Sequence, residues 1–306
     1  MSEIILHHYA LSPFAEKIRA MFGYLNLEWQ SALTSEMPPR PLLEPLTGGY
    51  RRIPVAQIGA DIYCDTQTIS SQLAKISGKS QLCTKQCDMQ VNEFVALVEG
   101  DFFFASILYA SGIKLNKKIM AQMSFFNLAK LLLDRLKMVR NAATKTAGIK
   151  ESKQIVNNTL SRIEDQLEQS FLFGPSPNIA DFSAYHPVWF IKDLGEKSIM
   201  EHFPKTNAWA ERIREFGEGT RKEISGEEAL SIARAHQPTP IENMQKTHDL
   251  IGQLVQIAPC DYGLRPSSGV LEACTEHQYI ISREPKETGL IHIHFPREGY
   301  QVKQAV

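Results

Sequence analysis

The spacing of apolar residues changes character twice along this chain, near residues 84 and 237. In the first stretch, short apolar runs alternate with helical repeats. Ile4-Ile5-Leu6 opens a strand that continues to Tyr9. Phe14, Ile18 and Met21 or Phe22 then recur every three or four residues, which predicts a helix from Ser12 to Tyr24 or Leu25. Ser12 is a favoured N-cap and Pro13 a favoured first helical residue. Glu28 to Leu33 reads as a second strand. Four prolines between Met37 and Pro45 exclude a long regular element there. Ile53 to Cys64 reads as two strands joined at Gly59-Ala60-Asp61. Asp65-Thr66 then caps a helix with Ile69, Leu73 and Ile76 inward and Gly78 as its stop. The order βαβ followed by ββα makes the first two strands parallel and the last two antiparallel.

Beyond residue 84 the helical period dominates. Val91, Phe94, Val95 and Val98 begin it. Ile119, Met123, Phe126, Leu128, Leu131 and Leu132 follow, and then Ile155, Leu160, Ile163 and Leu167. An all-helical bundle over 84–236 is the expectation. Phe102-Phe103-Phe104 reads as core packing. Asn178 and Asp181 have the spacing of a capping box, a folding element at the start of a helix. After Gln237-Pro238-Thr239-Pro240, five short segments rich in Val, Ile or Tyr recur. They predict a small twisted sheet or partly closed barrel. Its strands are expected at 253–258, 269–274, 278–283, 289–295 and 300–303. His292 and His294 share one strand face. With no third metal ligand in sight they read as exposed histidines. The expected fold is therefore multi-domain: an α/β domain over 1–79, a helical bundle over 84–236 and a small β-rich domain over 237–306.

Composition narrows the class of partner. The 306 residues contain 33 Lys plus Arg and 34 Asp plus Glu, so no global field argues for nucleic acid or an acidic membrane. No apolar run reaches the roughly 18 residues of a spanning helix. Val95 to Ala110 comes nearest, but Glu99 and Asp101 interrupt it. Met1-Ser2-Glu3 has no basic start leading into an apolar run, so no secretory signal is read and a cytoplasmic location is expected. Five cysteines, an odd and sparse set, suit free thiols in a reducing compartment. Cys83 and Cys87 lack the second pair that a zinc site needs, and no metal is expected.

The candidate chemistry centres on Ser12. A serine capping a helix places its hydroxyl beside free N–H groups at the positive end of the helix dipole, where an anion is favoured. Two roles stay open on these residues alone: a helix cap, and a donor to a thiolate. A thiol has a pKa of about 8.5, and a helix N-terminus plus one hydroxyl donor lowers it. A nucleophilic role for Ser12 would need a nearby base. His7 and His8 precede it, but strand alternation sends them to opposite faces.

Taken together, Ser12-Pro13-Phe14 with Lys17 and Arg19, Arg52-Ile53-Pro54-Val55, Asp65-Thr66 and the Asn178/Asp181 box resemble the glutathione transferase superfamily over the first 236 residues. The resemblance implies a thioredoxin-like first domain and a helical second domain. It implies that Ser12 activates the thiol of glutathione. It implies a cis Pro54 whose following backbone, at Val55, pairs with the cysteinyl part. Asp65 and Thr66 would hold the γ-glutamyl end. Ser12, Phe14, Arg52, Ile53, Pro54, Val55, Asp65 and Thr66 are thus the candidate glutathione contacts. Arg51 or Arg52 could pair with the glycyl carboxylate. The implied partners are glutathione as co-substrate, a small electrophile and a second copy of the chain. A catalytically inactive binding or regulatory module on the same fold is the alternative. Residues 237–306 lie outside the family pattern.

Overall fold

The computed structural model describes residues 3–122, 130, 131, 134, 148–241 and 248–305. Of the apolar positions above, Met123, Phe126, Leu128 and Leu132 lie outside the described residues. The first strand, β1 (Ile4–His8), is buried along its length and feeds α1 (Pro13–Tyr24) through a short turn. The parallel strand β2 (Glu28–Leu33) follows, and then the short α2 (Glu44–Thr47). The antiparallel pair β3 (Val55–Ile58) and β4 (Asp61–Cys64) precedes α3 (Thr66–Ser77), which ends at Gly78 with φ +67°. These four strands run in the order β2-β1-β3-β4, with the first two parallel and the last two antiparallel as their sequence pattern predicts.

The helical layer contains α4 (Met89–Leu97), α5 (Phe103–Ala110) and α6 (Ile113–Gln122). It continues with α7 (Ile149–Gln166), α8 (Ile179–Trp189) and α9 (Pro204–Arg214). A π-helical turn, Val98–Phe102, joins α4 to α5. The capping box forms as read. Asn178 Oδ1 accepts from Ala180 N, and Asp181 Oδ2 accepts from Asn178 N at 3.0 Å. Asp181 Oδ1 also accepts from Leu172 N and Trp209 Nε1, both at 2.9 Å, tying the start of α8 to α9. Phe102 and Phe103 are core residues, and α8 packs on α1. No single helix among the described residues is long and apolar enough to cross a membrane.

Three expectations are corrected. Residues 84–236 are not helical throughout: β5 (Thr220–Ile224) lies parallel to β2 on the edge of the first domain's sheet, and α10 (Gly226–Ala235) follows it. The strand reads Thr-Arg-Lys-Glu-Ile and is mostly exposed, so it carries no apolar alternation. Backbone pairing with β2 recruits it, as suits a charged edge strand. Trp29 Nε1 helps, donating to Glu218 O at 2.6 Å just upstream.

The tail is β-rich where expected, but it is not a sheet apart from the first domain. Its strands β6 (Leu254–Pro259), β7 (Ser267–Cys274), β8 (Gln278–Arg283), β9 (Ile291–Pro296) and β10 (Tyr300–Gln304) extend the first sheet. One ten-stranded sheet results, in the order β10-β6-β7-β8-β9-β4-β3-β1-β2-β5. The join is the parallel pair β4/β9. There His292 and His294 are buried, not exposed, because β9 is an interior strand covered on both faces. His294 Nε2 bonds Asp61 Oδ1 at 2.9 Å, and its ring stacks on Tyr63 at 4.5 Å. Asp61 Oδ2 accepts from Thr239 N and Oγ1. Burial alone would raise the Asp61 carboxyl, but the His294 and Thr239 bonds outweigh it and hold its pKa below the usual range.

Candidate functional site

Ser12 caps α1 with extended backbone angles, and its Oγ accepts from Ala15 N at 3.2 Å. Pro13 follows with φ already suited to the first turn. The helix buries Ile18, Met21 and Phe22, as the spacing requires, and also Ala15, Lys17 and Arg19, while Phe14 is half-buried. Arg19 is satisfied by Glu16, His8 and the carbonyl of Ala10. His8 also bonds Ser31, while His7 bonds Gln57. Burial drives both rings toward neutrality: His7 is pushed down to about 4, and His8, with Arg19 beside it, to about 3. Both histidines are thus committed inside the sheet.

A cavity of about 190 Å³ opens at the C-terminal end of β4, where the sheet, the helical layer and the tail meet. Six of the eight candidate residues line it: Phe14, Arg52, Ile53, Pro54, Asp65 and Thr66. The Ile53–Pro54 peptide is cis. Asp65 has φ +80° and caps α3, accepting from Gln67 N with Oδ1 at 3.1 Å. That left-handed backbone turns the carboxylate toward the start of α3, beside the free N–H groups of its first turn. The remaining two candidates stand outside the wall. Val55 is fully buried in the core behind it, and Ser12 is 1 % exposed. Arg51 pairs instead with Asp134 at 2.5 Å.

Sequence reasoning did not assign Glu99 and Tyr50 to the site, although both line the cavity. Glu99 sits on the π-helical turn before α5, a device that re-aims a side chain out of the helical period. It accepts from Lys17 Nζ and from Ser183 Oγ, the latter at 2.7 Å. Its signal was present as a charge interrupting the longest apolar run. Phe14 packs on Phe103 and His186 with ring centroids 4.4 and 4.8 Å away. Burial, reinforced by Lys17, holds His186 neutral, with its pKa well below the ordinary imidazole value.

Gln67, next to Thr66, was missed as well, and the others come from the tail: Asp261, Tyr262, Glu298, Gly299 and Tyr300. Arg52 Nη2 donates to the Asp261 carboxylate and to Tyr262 O at 2.6 Å, and its guanidinium lies 3.9 Å from the Tyr262 ring centroid. Tyr300 OH donates to Asp65 Oδ2 at 2.8 Å and lies 2.9 Å from Tyr50 OH. No local pattern marks these residues, because strand pairing places them from about 200 residues away. A larger groove of about 750 Å³ runs along α7 beside Phe171–Gly174, but no candidate residue lines it. The smaller cavity is where charged and aromatic groups converge.

Comparison with known proteins agrees with this layout. Residues 6–81 match the glutathione S-transferase N-terminal domain, and residues 146–212 match the C-terminal domain. A search of curated proteins gives no match. Among solved structures, a GST-like protein from Pseudomonas syringae is 29 % identical over 100 % of both chains, with a TM-score of 0.78. That match includes the tail. FzlA from C. crescentus is 18 % identical over 69 % of this chain and 88 % of its own, with a TM-score of 0.47. A glutathione S-transferase from Methylobacillus flagellatus with glutathione bound is 14 % identical over 70 % of this chain and 99 % of its own, also with a TM-score of 0.47. Both domain matches fall in the order the fold requires, and the chain belongs to the glutathione transferase superfamily.

Proposed function

We propose that the cavity binds glutathione and that the protein uses its thiol as a nucleophile toward a small electrophile. The observation that carries this reading is the meeting of Phe14, Arg52, Ile53, Pro54, Asp65 and Thr66 in one cavity. Asp65 offers a carboxylate to the γ-glutamyl ammonium, and the first turn of α3 offers N–H groups to its carboxylate. Arg52 matches a terminal carboxylate by charge and fork geometry. The thiol then lies toward the start of α1, where Ser12 is the donor and the helix dipole favours thiolate. In the reaction the sulfur forms a bond to an electrophilic carbon. The leaving group departs with the electron pair of the broken bond, and the thiol proton goes to solvent. This reading carries a cytosolic homodimer with it.

The alternative, a binding module without catalysis, is favoured by one feature: Ser12 is 1 % exposed and outside the cavity wall. Contact with sulfur requires a local opening at the start of α1. Calorimetric titration with glutathione tests binding, and ultraviolet titration of the bound thiolate tests activation. Binding in the millimolar range or tighter is expected, with the bound thiol's pKa lower in wild type than in Ser12→Ala. No binding at millimolar glutathione sinks the reading. Binding with equal thiol pKa in the two proteins leaves the module.

A further inference from the structure

The tail meets the cavity through the two side chains best suited to an amino-acid ligand's charged ends. Arg52 is held by Asp261 and Tyr262, and Asp65 by Tyr300. Arg52 is nevertheless not saturated. Its Nη1 reaches Asp65 only at 3.5 Å, and its Nε–H is buried with no partner among the described residues. A purely structural arginine would be expected to satisfy that donor, since an orphaned buried N–H is costly. The orphan points to one more acceptor arriving from outside.

The two tail contacts differ in how they are held. Tyr300 belongs to β10, which is paired along its length with β6. Asp261 and Tyr262 lie in the 260–266 link between β6 and β7. The Asp261 side chain is 44 % exposed. The Tyr262 ring rests edge-on against Phe104. The link can shift without breaking the sheet, whereas the strands cannot.

We propose that Asp261 is a built-in competitor for Arg52: its carboxylate occupies the anion position until the terminal carboxylate of a bound ligand displaces it. The proposal rests on the reading of the cavity as a glutathione site and assigns the regulation of that site to the 260–266 link. The ligand's carboxylate takes the place of Asp261 on Nη2 and supplies an acceptor for the orphaned Nε–H. Arg52 remains charged throughout, and only its partner changes. The cavity is then narrow at rest and widens at the link when an anionic ligand enters.

The test is calorimetric titration of the full chain and Asp261→Asn with glutathione and with its glycyl ethyl ester, which lacks the terminal carboxylate. Asp261→Asn is expected to bind glutathione about three- to tenfold tighter, the range for a charge-assisted contact on a half-exposed group. Ester affinity should be the same in both proteins. Asp261→Ala, which cannot accept from Arg52, should show at least the same gain, with thermal melts confirming that both variants fold. Equal or weaker glutathione binding in the variants overturns the proposal and leaves the glutathione site standing. An equal gain for the ester also overturns it, since Asp261 would then act as bulk and not as an anion. Absence of glutathione binding in every protein overturns both readings together.

Discussion

Removing the carboxylate of Asp181 should destabilise the fold more than any surface change and should disturb the cavity from behind. The side chain is fully buried and accepts from three donors: Leu172 N, Asn178 N and Trp209 Nε1. Asp181→Ala leaves all three without a partner. Each orphaned buried donor costs about 1–3 kcal/mol, and since the three share one site their sum is less than additive. A loss of roughly 3–5 kcal/mol in urea unfolding at pH 7 is expected. The effect reaches the site because α8 packs on α1 and carries His186, against which Phe14 rests. The same residue gives a pH signature. Burial pushes Asp181 up to about 6 despite its hydrogen bonds. A raised carboxyl pKa means that the folded state holds its proton where the unfolded chain has released it. Wild-type stability should therefore fall as pH rises from about 4 to 6, by up to about 3 kcal/mol for a shift of roughly two units. Asp181→Asn lacks this titration. The assay is urea unfolding of both proteins at several values between pH 4 and 7.5. Parallel pH profiles, or an Asp181→Ala penalty below about 1 kcal/mol, would refute the assignment.

Two further perturbations address how the sheet is assembled. Asp61→Asn should cost about 1–3 kcal/mol by weakening the β4/β9 seam, and limited proteolysis should then release the tail first. Because the folded Asp61 pKa is depressed, its contribution is present above pH ~4 and is lost as pH falls through the lower folded value. A wild-type tail that detaches no more readily at pH 3 than at pH 6 would contradict this. Gly219 has φ +72°, and a Cβ there would lie 2.4 Å from Leu27 O. Gly219→Ala should cost at least about 2 kcal/mol and free β5, read as a lowered melting temperature with faster amide exchange over Thr220–Ile224. An unchanged melting temperature would show that β5 is not held by this approach.

What could be read from the chain depended on how local the causes were. The first four strands, α1, α3 and the Asn178–Asp181 box follow from nearby residues, and they lie where the pattern put them. The tail strands were also legible, because each carries its own alternation between turns. Their location was not. The β4/β9 pairing joins Tyr63 to His294, and nothing near either residue encodes it. The same non-locality explains His292 and His294. Alternation tells which residues share a face, but not whether that face meets water. In β5 the failure ran the other way, since an edge strand needs no apolar face to pair. Ser12 and Asp65 were visible because cap chemistry is local, whereas Pro54 entered only through the family resemblance. Glu99 appeared only as an interruption, because a π-helical turn moves a side chain off the period on which helix reading depends.

The register of the sheet accounts for the tail being at the cavity at all. Sites in sheets with parallel strands gather where those strands end at their C-termini. Strand β4 ends at Cys64 and delivers Asp65 to that end. Strand β9 runs parallel to β4 with Tyr63 opposite His294, so one further step sets Phe295 level with Cys64. The chain must then turn at the mouth of the site, and it does so through Glu298 and Gly299 into Tyr300, which reaches Asp65. Strand β10 pairs with β6 so that Tyr300 faces Pro259, and Cys260 N donates to Gly299 O at 2.9 Å. Asp261 is the next residue and falls on Arg52. Once β9 joins β4 in this direction, the Tyr300 contact follows from strand geometry, and the end of β6 brings the 260–266 link beside Arg52. A strand added antiparallel to β4 would have carried its turn to the opposite end of the strands and left Arg52 and Asp65 open.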